Sequence, residues 1–394
     1  MSTPDVEAIK RVARRIPVVR GVGRRALHAY RVAGRQARAV RAGVGAGTDV
    51  ERARVYGRDV GGRALLKATV DNVRWALRHG KPNPFYYTFG MDAKTGEEYD
   101  QYLSVREMMW IIDGQIREDG TEHVTGVLKD KYLFALVTQA LDYPSPRVLA
   151  RLSPDDVDLL NPRRSATYAE FVAESGPVDG FAKQVGGEKG RGAFALRVEG
   201  GRAWVDGEPA DAADVAALVT GRYLLQERVV QHPALAALHG PSVNTVRLVT
   251  VYRDGATTPL VAALRVGTGG AAVDNWSAGG LVVGLDLASG RLHGRGIFKP
   301  GCGGEVRYGG FVDRHPDSGV ALDGYALPQV PEAVDLACRL HRDLGGPRTV
   351  GWDLALTPDG PTVVEGNSHW SGAMYMAIDP GFKRRYFAAA GIAE

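Results

Sequence analysis

Two periods divide the chain. In its first part, small and apolar residues recur at helical spacing. Val6 to about Ala46 is rich in Ala, Val and Arg, with no proline except Pro17, and Val60 to Arg78 carries Leu65, Leu66, Val70, Val73 and Leu77 near one stripe. Lys81-Pro-Asn-Pro84 breaks that pattern and marks a boundary. Gly126 to Leu141 is helical again, with Asp130 placed to cap a segment starting at Lys131 and Asp142-Tyr-Pro144 placed to stop it. Strand patterns then take over: Phe181 to Val185 and Ala193 to Val198 around a glycine loop, Tyr223 to Val230, the run out of Pro241 to Thr250, Leu260 to Val266 and Leu281 to Leu287. One more helix, Pro331 to Leu344, presents Val334, Leu336, Ala337 and Leu340 as a buried stripe.

The clearest alternation lies in Val350 to Trp370. Trp352 to Leu356 and Thr362 to Asn367 each follow the strand period, and Pro358-Asp359-Gly360 between them suits a three-residue hairpin loop with Gly360 at positive φ. With Thr357 opposite Pro361, Asp353 falls opposite Glu365, and Asp353, Ala355, Glu365 and Asn367 share a face. The other face, Trp352, Leu354, Leu356 and Val364, is expected in the core.

The chain has 394 residues, enough for several lobes, and its charge adds little: 49 Lys and Arg against 45 Asp and Glu leave +4, with the basic excess in the first fifty residues. No dedicated nucleic-acid binder is implied. The basic start is read as a solvated helical cap or as a contact with an anionic membrane surface or protein; Asp5 and Glu7 argue against a transit peptide. Cys302 and Cys338 alone make neither a disulfide framework nor a cysteine metal site. Without a membrane-length apolar run or a signal-peptide core, a cytoplasmic location is expected.

Opposed carboxylates repel unless a cation lies between them, and the Asn367 amide two residues beyond Glu365 adds a third oxygen donor. Such a set favours magnesium or manganese; the competing reading is a surface hairpin with solvated acids. The loop Gly186-Gly-Glu-Lys-Gly-Arg-Gly192 lets a backbone approach phosphates, with basic Lys189 and Arg191 at its tip, or is a plain flexible turn. It lacks the Gly-Lys-Ser/Thr ending of a P-loop. His341-Arg-Asp-Leu344 copies the start of a kinase catalytic loop, but Arg348 stands where Asn is needed and no Asp-Phe-Gly follows, so it is a chance match.

An Asp on one strand, a turn and Glu-x-Asn on the next, in the wording GWDLALTPDGPTVVEGN, resembles the metal-binding end of the ATP-grasp ligases, in particular the sugar-transfer-associated branch related to the α-L-glutamate ligases. The resemblance runs with gaps from about Lys129 to Trp370. It implies an α+β ATP-grasp fold, two lobes clasping ATP, preceded by a basic helical region at 1–80; 81–180 would lead into the fold, 181–232 would be the small nucleotide lobe and 233–394 the large lobe.

The resemblance also implies roles. Lys131, or the neighbouring Lys129, and Lys183 would reach ATP phosphates, with Gly187, Lys189 and Gly190 in the loop above them. Gln226 and Glu227 would approach the adenine amino group and the backbone of Arg228 and Val229 its ring edge. His232 stands near where many ATP-grasp enzymes place an acid for ribose, a departure that leaves ribose recognition open. Arg247 would clamp the transferring phosphate, unless it pairs with an acid on a neighbouring strand. Asp353, Glu365 and Asn367 would hold Mg2+ (or Mn2+), with Glu365 also facing ATP. Asn275, Trp276, Ser277, His315, His369 and Trp370 are candidates for the acceptor pocket, the first three equally readable as a connecting turn with an exposed Trp. The implied reaction is ATP-dependent ligation of a small-molecule carboxylate and an amine through an acyl phosphate. A kinase acting on a hydroxyl, or a non-catalytic nucleotide-binding module, would use the same cleft.

Overall fold

The computed structural model describes residues 17–187, 190, 192–302 and 309–393. The chain forms two compact units, Met1–Ala93 and Lys94–Glu394.

Among its described residues the first unit has three α-helices: α1 (Pro17–Gly47), α2 (Val50–Val55) and α3 (Gly62–His79). Helices α1 and α3 meet backbone to backbone, because Gly43 and Gly47 leave no side chain between them: a Cβ on Gly47 would lie 2.2 Å from Thr69 Cα. The buried face of α3 is accordingly small, Ala68, Asn72 and Ala76, while Leu66, Val70 and Leu77 of the apolar stripe face solvent. Past the helix stop the chain folds back instead of leaving. Arg52 donates to the Asn83 and Pro84 carbonyls, and Tyr86 Oη donates to Asp71 at 2.8 Å. The unit therefore ends at Ala93, not at residue 80.

The second unit opens with α4 (Val105–Asp119), α5 (Glu122–Lys129) and α6 (Lys131–Ala140), the last two separated at Asp130, whose carboxylate accepts from the Tyr132 and Leu133 N–H groups. Then come β1 (Val148–Leu152), β2 (Val157–Leu160), β3 (Arg163–Ala166), α7 (Tyr168–Glu174), β4 (Val178–Gln184), β5 (Phe194–Glu199), β6 (Arg202–Val205), β7 (Glu208–Ala210), α8 (Ala212–Leu218) and β8 (Tyr223–Glu227). These strands make one sheet in the order β3-β2-β1-β8-β4-β5-β6-β7. Because β1 pairs with β8, the small lobe begins near residue 148, not at 181. Strand β8 stops at Glu227, short of the expected Val230.

The rest builds a second sheet. Its elements are α9 (Pro233–Ala236), β9 (Thr245–Arg253), β10 (Ala256–Val266), β11 (Leu281–Asp286), β12 (Arg291–Phe298), β13 (Gly310–Val312), α10 (Val330–Leu344), β14 (Thr349–Thr357), β15 (Gly360–Asn367), α11 (Ala373–Ile378) and α12 (Phe382–Ala390). The order is β13-β12-β11-β10-β9-β14-β15. Helix α10 covers one face, where Leu336, Ala337 and Leu340 join Leu248, Leu264, Trp352 and Leu354 in the core. His341 is fully buried there. The Trp352 indole N–H donates to Thr250 Oγ1 at 2.7 Å, Thr250 Oγ1 lies 2.7 Å from His341 Nδ1, and His341 Nε2 lies 2.7 Å from the Pro347 carbonyl. The histidine of the kinase-like motif is thus a core brace, while Arg342 and Asp343 are exposed.

The β14–β15 hairpin differs from its expected form at the turn. Thr357 pairs with Gly360, so the loop is the two residues Pro358 and Asp359, and Gly360 has φ +125°. A bulge at Val364 then absorbs one residue and restores Asp353 opposite Glu365. The bulge also puts Val363, and not Val364, in the core.

Candidate active site

Strand register collects the charged residues. Glu365 on β15 pairs with Asp353 on β14, Asp353 with Arg247 on β9, and Arg247 with Ala263 on β10; directly opposed residues point the same way, so the row shares the face away from α10. Two positions along β10, Arg265 pairs with Thr245 on the same face. Asp353 is only 4% exposed and has a guanidinium on each oxygen: Arg247 Nη1 on Oδ1, and Arg265 Nη2 at 3.1 Å from Oδ2. Burial alone would raise the Asp353 carboxyl, but the two arginines outweigh it and hold it below the usual carboxylate range.

Arg265 extends this network to the loop before β11. Its Nη2 lies 3.2 Å from Asp274 Oδ1 and donates to Thr245 Oγ1 at 2.9 Å, while the Thr245 N–H donates to Asp274 at 2.9 Å. Burial raises the Asp274 carboxyl against the pull of Arg265. The sequence carried one sign of Arg265, a lone charge in the apolar run of β10, but only strand pairing shows that it bridges two acids.

Two lysines reach this row from outside the large sheet. Lys131, at the start of α6, lies 3.0 Å from Glu365 Oε1 and donates to the Gly187 carbonyl at 2.6 Å. It gets there because α5 and α6 rest directly on Gly366: a Cβ at that position would lie 2.7 Å from Leu128 and 3.2 Å from Phe134. Lys183 on β4 is held in the same charge field; burial lowers its pKa to about 8, with Glu365 raising it, Lys131 lowering it and Asp353 raising it. Lys129 instead lines an open pocket of about 480 Å³ with Asp130, Gln184, Gly186, Gly187 and Arg222. The assembled groups are four bases, Lys131, Lys183, Arg247 and Arg265, and three acids, Asp274, Asp353 and Glu365, so the cluster carries a positive surplus suited to an anion.

Two buried donors in this cluster have no hydrogen-bond partner, Arg247 Nε and the Asn367 side-chain nitrogen. Which end of an Asn amide faces inward is interchangeable, so the unspent position at Asn367 can present oxygen. Among the described residues, no group of three His, Cys, Asp or Glu side chains stands ready to hold a metal alone. Asp353, Glu365 and Asn367 are the oxygen-bearing side chains that would hold a hard divalent cation also taking phosphate oxygens. Asp353 and Glu365 are cross-strand partners, and a cation there would replace the arginine pairs on Asp353 and the lysine pair on Glu365.

The other sequence-derived residues scatter more widely. Gln226 is buried and donates to the Pro146 carbonyl at 3.1 Å, Glu227 pairs with Arg147 at 2.9 Å, and the Arg228 N–H donates to the Asp179 carbonyl. Val229 follows, half-buried, after the strand end. His232 accepts from the Ala234 N–H and caps α9. Gly190 has φ +69° and faces Val273, whereas Lys189 and Arg191 lie outside the described residues. Trp276 is buried, not exposed, with its indole donating to the Ile297 carbonyl. His315 is buried with both ring nitrogens on backbone groups, and Trp370 is packed among Tyr375, Phe382 and Tyr386. None of these three side chains offers a free polar atom to an acceptor. Asn275 and Ser277 are half-buried, the latter accepting from Lys299, and His369 Nε2 lies 2.9 Å from Asp113.

Comparison with known proteins gives one family match: residues 122–389 match the family described as sugar-transfer associated ATP-grasp. No curated protein matches the sequence. Solved structures similar to the chain include an ADP complex of N5-carboxyaminoimidazole ribonucleotide synthetase (12% identity, TM-score 0.42, 74% of this chain and 59% of that one). Others are D-alanyl-alanine synthetase A from Vibrio cholerae (10%, 0.38, 68% and 65%) and a RimK domain ATP-grasp protein from Sphaerobacter thermophilus (14%, 0.33, 66% and 67%). The chain thus spans about three fifths to two thirds of the length of these structures.

Proposed function

Because the chain belongs to the sugar-transfer associated ATP-grasp family, we propose that it is an ATP-dependent carboxylate–amine ligase. The γ-phosphoryl group of ATP moves to a carboxylate oxygen, and an amine then attacks the acyl phosphate to form an amide, releasing phosphate beside ADP. The observation that carries this reading is the convergence of Lys131, from the helix packed on β15, and Lys183, from the small sheet, on the Glu365–Asp353–Arg247 row of the large one.

In this reading the protein supplies position and charge. Lys131 and Lys183 neutralise nucleotide phosphates. Arg247 is paired with Asp353 on the neighbouring strand, as its alternative reading had it. Its role toward oxygens of the group in flight is proposed on its unpaired Nε alone, and Arg265 keeps Asp353 in place beside it. Magnesium or manganese on Asp353, Glu365 and Asn367 would offset charge on the phosphate oxygens. Among the described residues no general base stands out, which suits an acyl phosphate already reactive toward an amine.

Hydroxylamine tests the intermediate. With ATP, magnesium and pooled carboxylic acids, it should intercept the acyl phosphate as a hydroxamate, detected by mass. ADP formed with a phosphorylated alcohol and no hydroxamate would instead mark a kinase.

A further inference from the structure

We propose that the helical unit at Met1–Ala93 docks on an anionic lipid surface through the outward stripe of α3, independently of what the ATP-grasp part catalyses. On α3, Arg63, Leu66, Val70, Arg74 and Leu77 are exposed and fall within one narrow arc at helical spacing. Leu66 is 64% and Leu77 48% exposed, large values for leucines on a helix whose opposite side is packed. The sole acid of this helix, Asp71, lies outside the arc and is engaged by Lys67 and Tyr86.

A merely solvated helix face mixes acids with bases and keeps leucine off the arc. Here arginine alternates with aliphatic residues, which is the composition of a helix lying in a lipid interface, its guanidiniums on headgroup phosphates and its apolar side chains among the acyl chains. The neighbouring helix adds charge of the same sign: α1 has an arginine at roughly every third or fourth position from Arg31 to Arg41, no acid along its length, and Val40 and Val44 exposed. A nucleic acid would satisfy the arginines but leave the leucines in water. No described helix is long and apolar enough to cross a membrane, so the contact is peripheral. The family match begins only at residue 122, leaving this unit free to serve a purpose of its own.

Flotation of the full chain with phosphatidylcholine vesicles, with and without phosphatidylglycerol, reads this directly. The chain should float with the anionic vesicles, and rising salt should release it. Leu66→Ser with Leu77→Ser should weaken binding about tenfold, as should Arg63→Gln with Arg74→Gln. Both pairs lie on the surface, so an unchanged circular dichroism spectrum and melting point show that the fold persists. Failure to float with anionic vesicles would overturn the proposal. So would flotation that both double variants leave unchanged, or a concentration-dependent dimer that the leucine variant dissociates without any vesicle binding, which would assign the stripe to a second copy of the chain.

Discussion

Arg265 and Lys183 show two ways in which burying a charge is made tolerable. Arg265 lies between Asp274 and Asp353, so its removal strands buried acids: Arg265→Leu should cost roughly 3–5 kcal/mol, read as a lowered denaturation midpoint. Lys183 has no such fixed partner among the described residues, and burial lowers its pKa to about 8, so its charged form is held at a penalty in the folded state at pH 7. Lys183→Met should therefore melt at or above the wild-type temperature while losing at least about a hundredfold in turnover, a trade expected of a functional charge. Glu365→Ala should likewise abolish turnover and leave the fold intact; full activity in both variants would remove these residues from the site. His341 gives a pH signature. Burial lowers its pKa to about 4 from a usual 6.5, so between those values the unfolded chain binds the proton and the folded one does not. Its contribution is complete above about pH 6.5 and is lost as pH falls toward 4, roughly 3 kcal/mol in all, a slope that His341→Gln should flatten in urea titrations across that range.

Among the elements, the β14–β15 hairpin shows what alternation reveals and what it hides. The pairing of Asp353 with Glu365 is legible because side-chain direction repeats every second residue. The turn is not: a two-residue loop plus a bulge at Val364 gives the same pairing as a three-residue loop without one, and counting cannot tell them apart. It is the burial of Val363 rather than Val364 that distinguishes them. Gly366 matters for another reason. Its missing side chain admits α5 and α6 against β15, which brings Lys131 to Glu365. Gly366→Val should cost about 1–3 kcal/mol through overpacking and also weaken ADP binding measured by calorimetry, because the displaced helices carry Lys131 with them.

For the whole molecule, the sequence was most legible where a motif and a period coincide. The family, the α+β fold and the charged row on β14 and β15 were readable from one hairpin and its resemblance. The membership of β1–β3 in the small sheet, the extent of the first unit and the role of Arg265 depend on long-range pairing that no local pattern encodes. Histidines and tryptophans misled most, since His315, Trp276 and Trp370 look like chemistry in a sequence but are packed in the interior. The central claim, ligation through an activated carboxylate, is tested most directly by the fate of ATP. The protein is incubated with ATP, magnesium, pooled carboxylic acids and amino acids, following nucleotides by chromatography and products by mass. The account predicts ADP, free phosphate and a condensed product lighter than its two substrates by one water. ADP with a phosphorylated product and no condensation would contradict it.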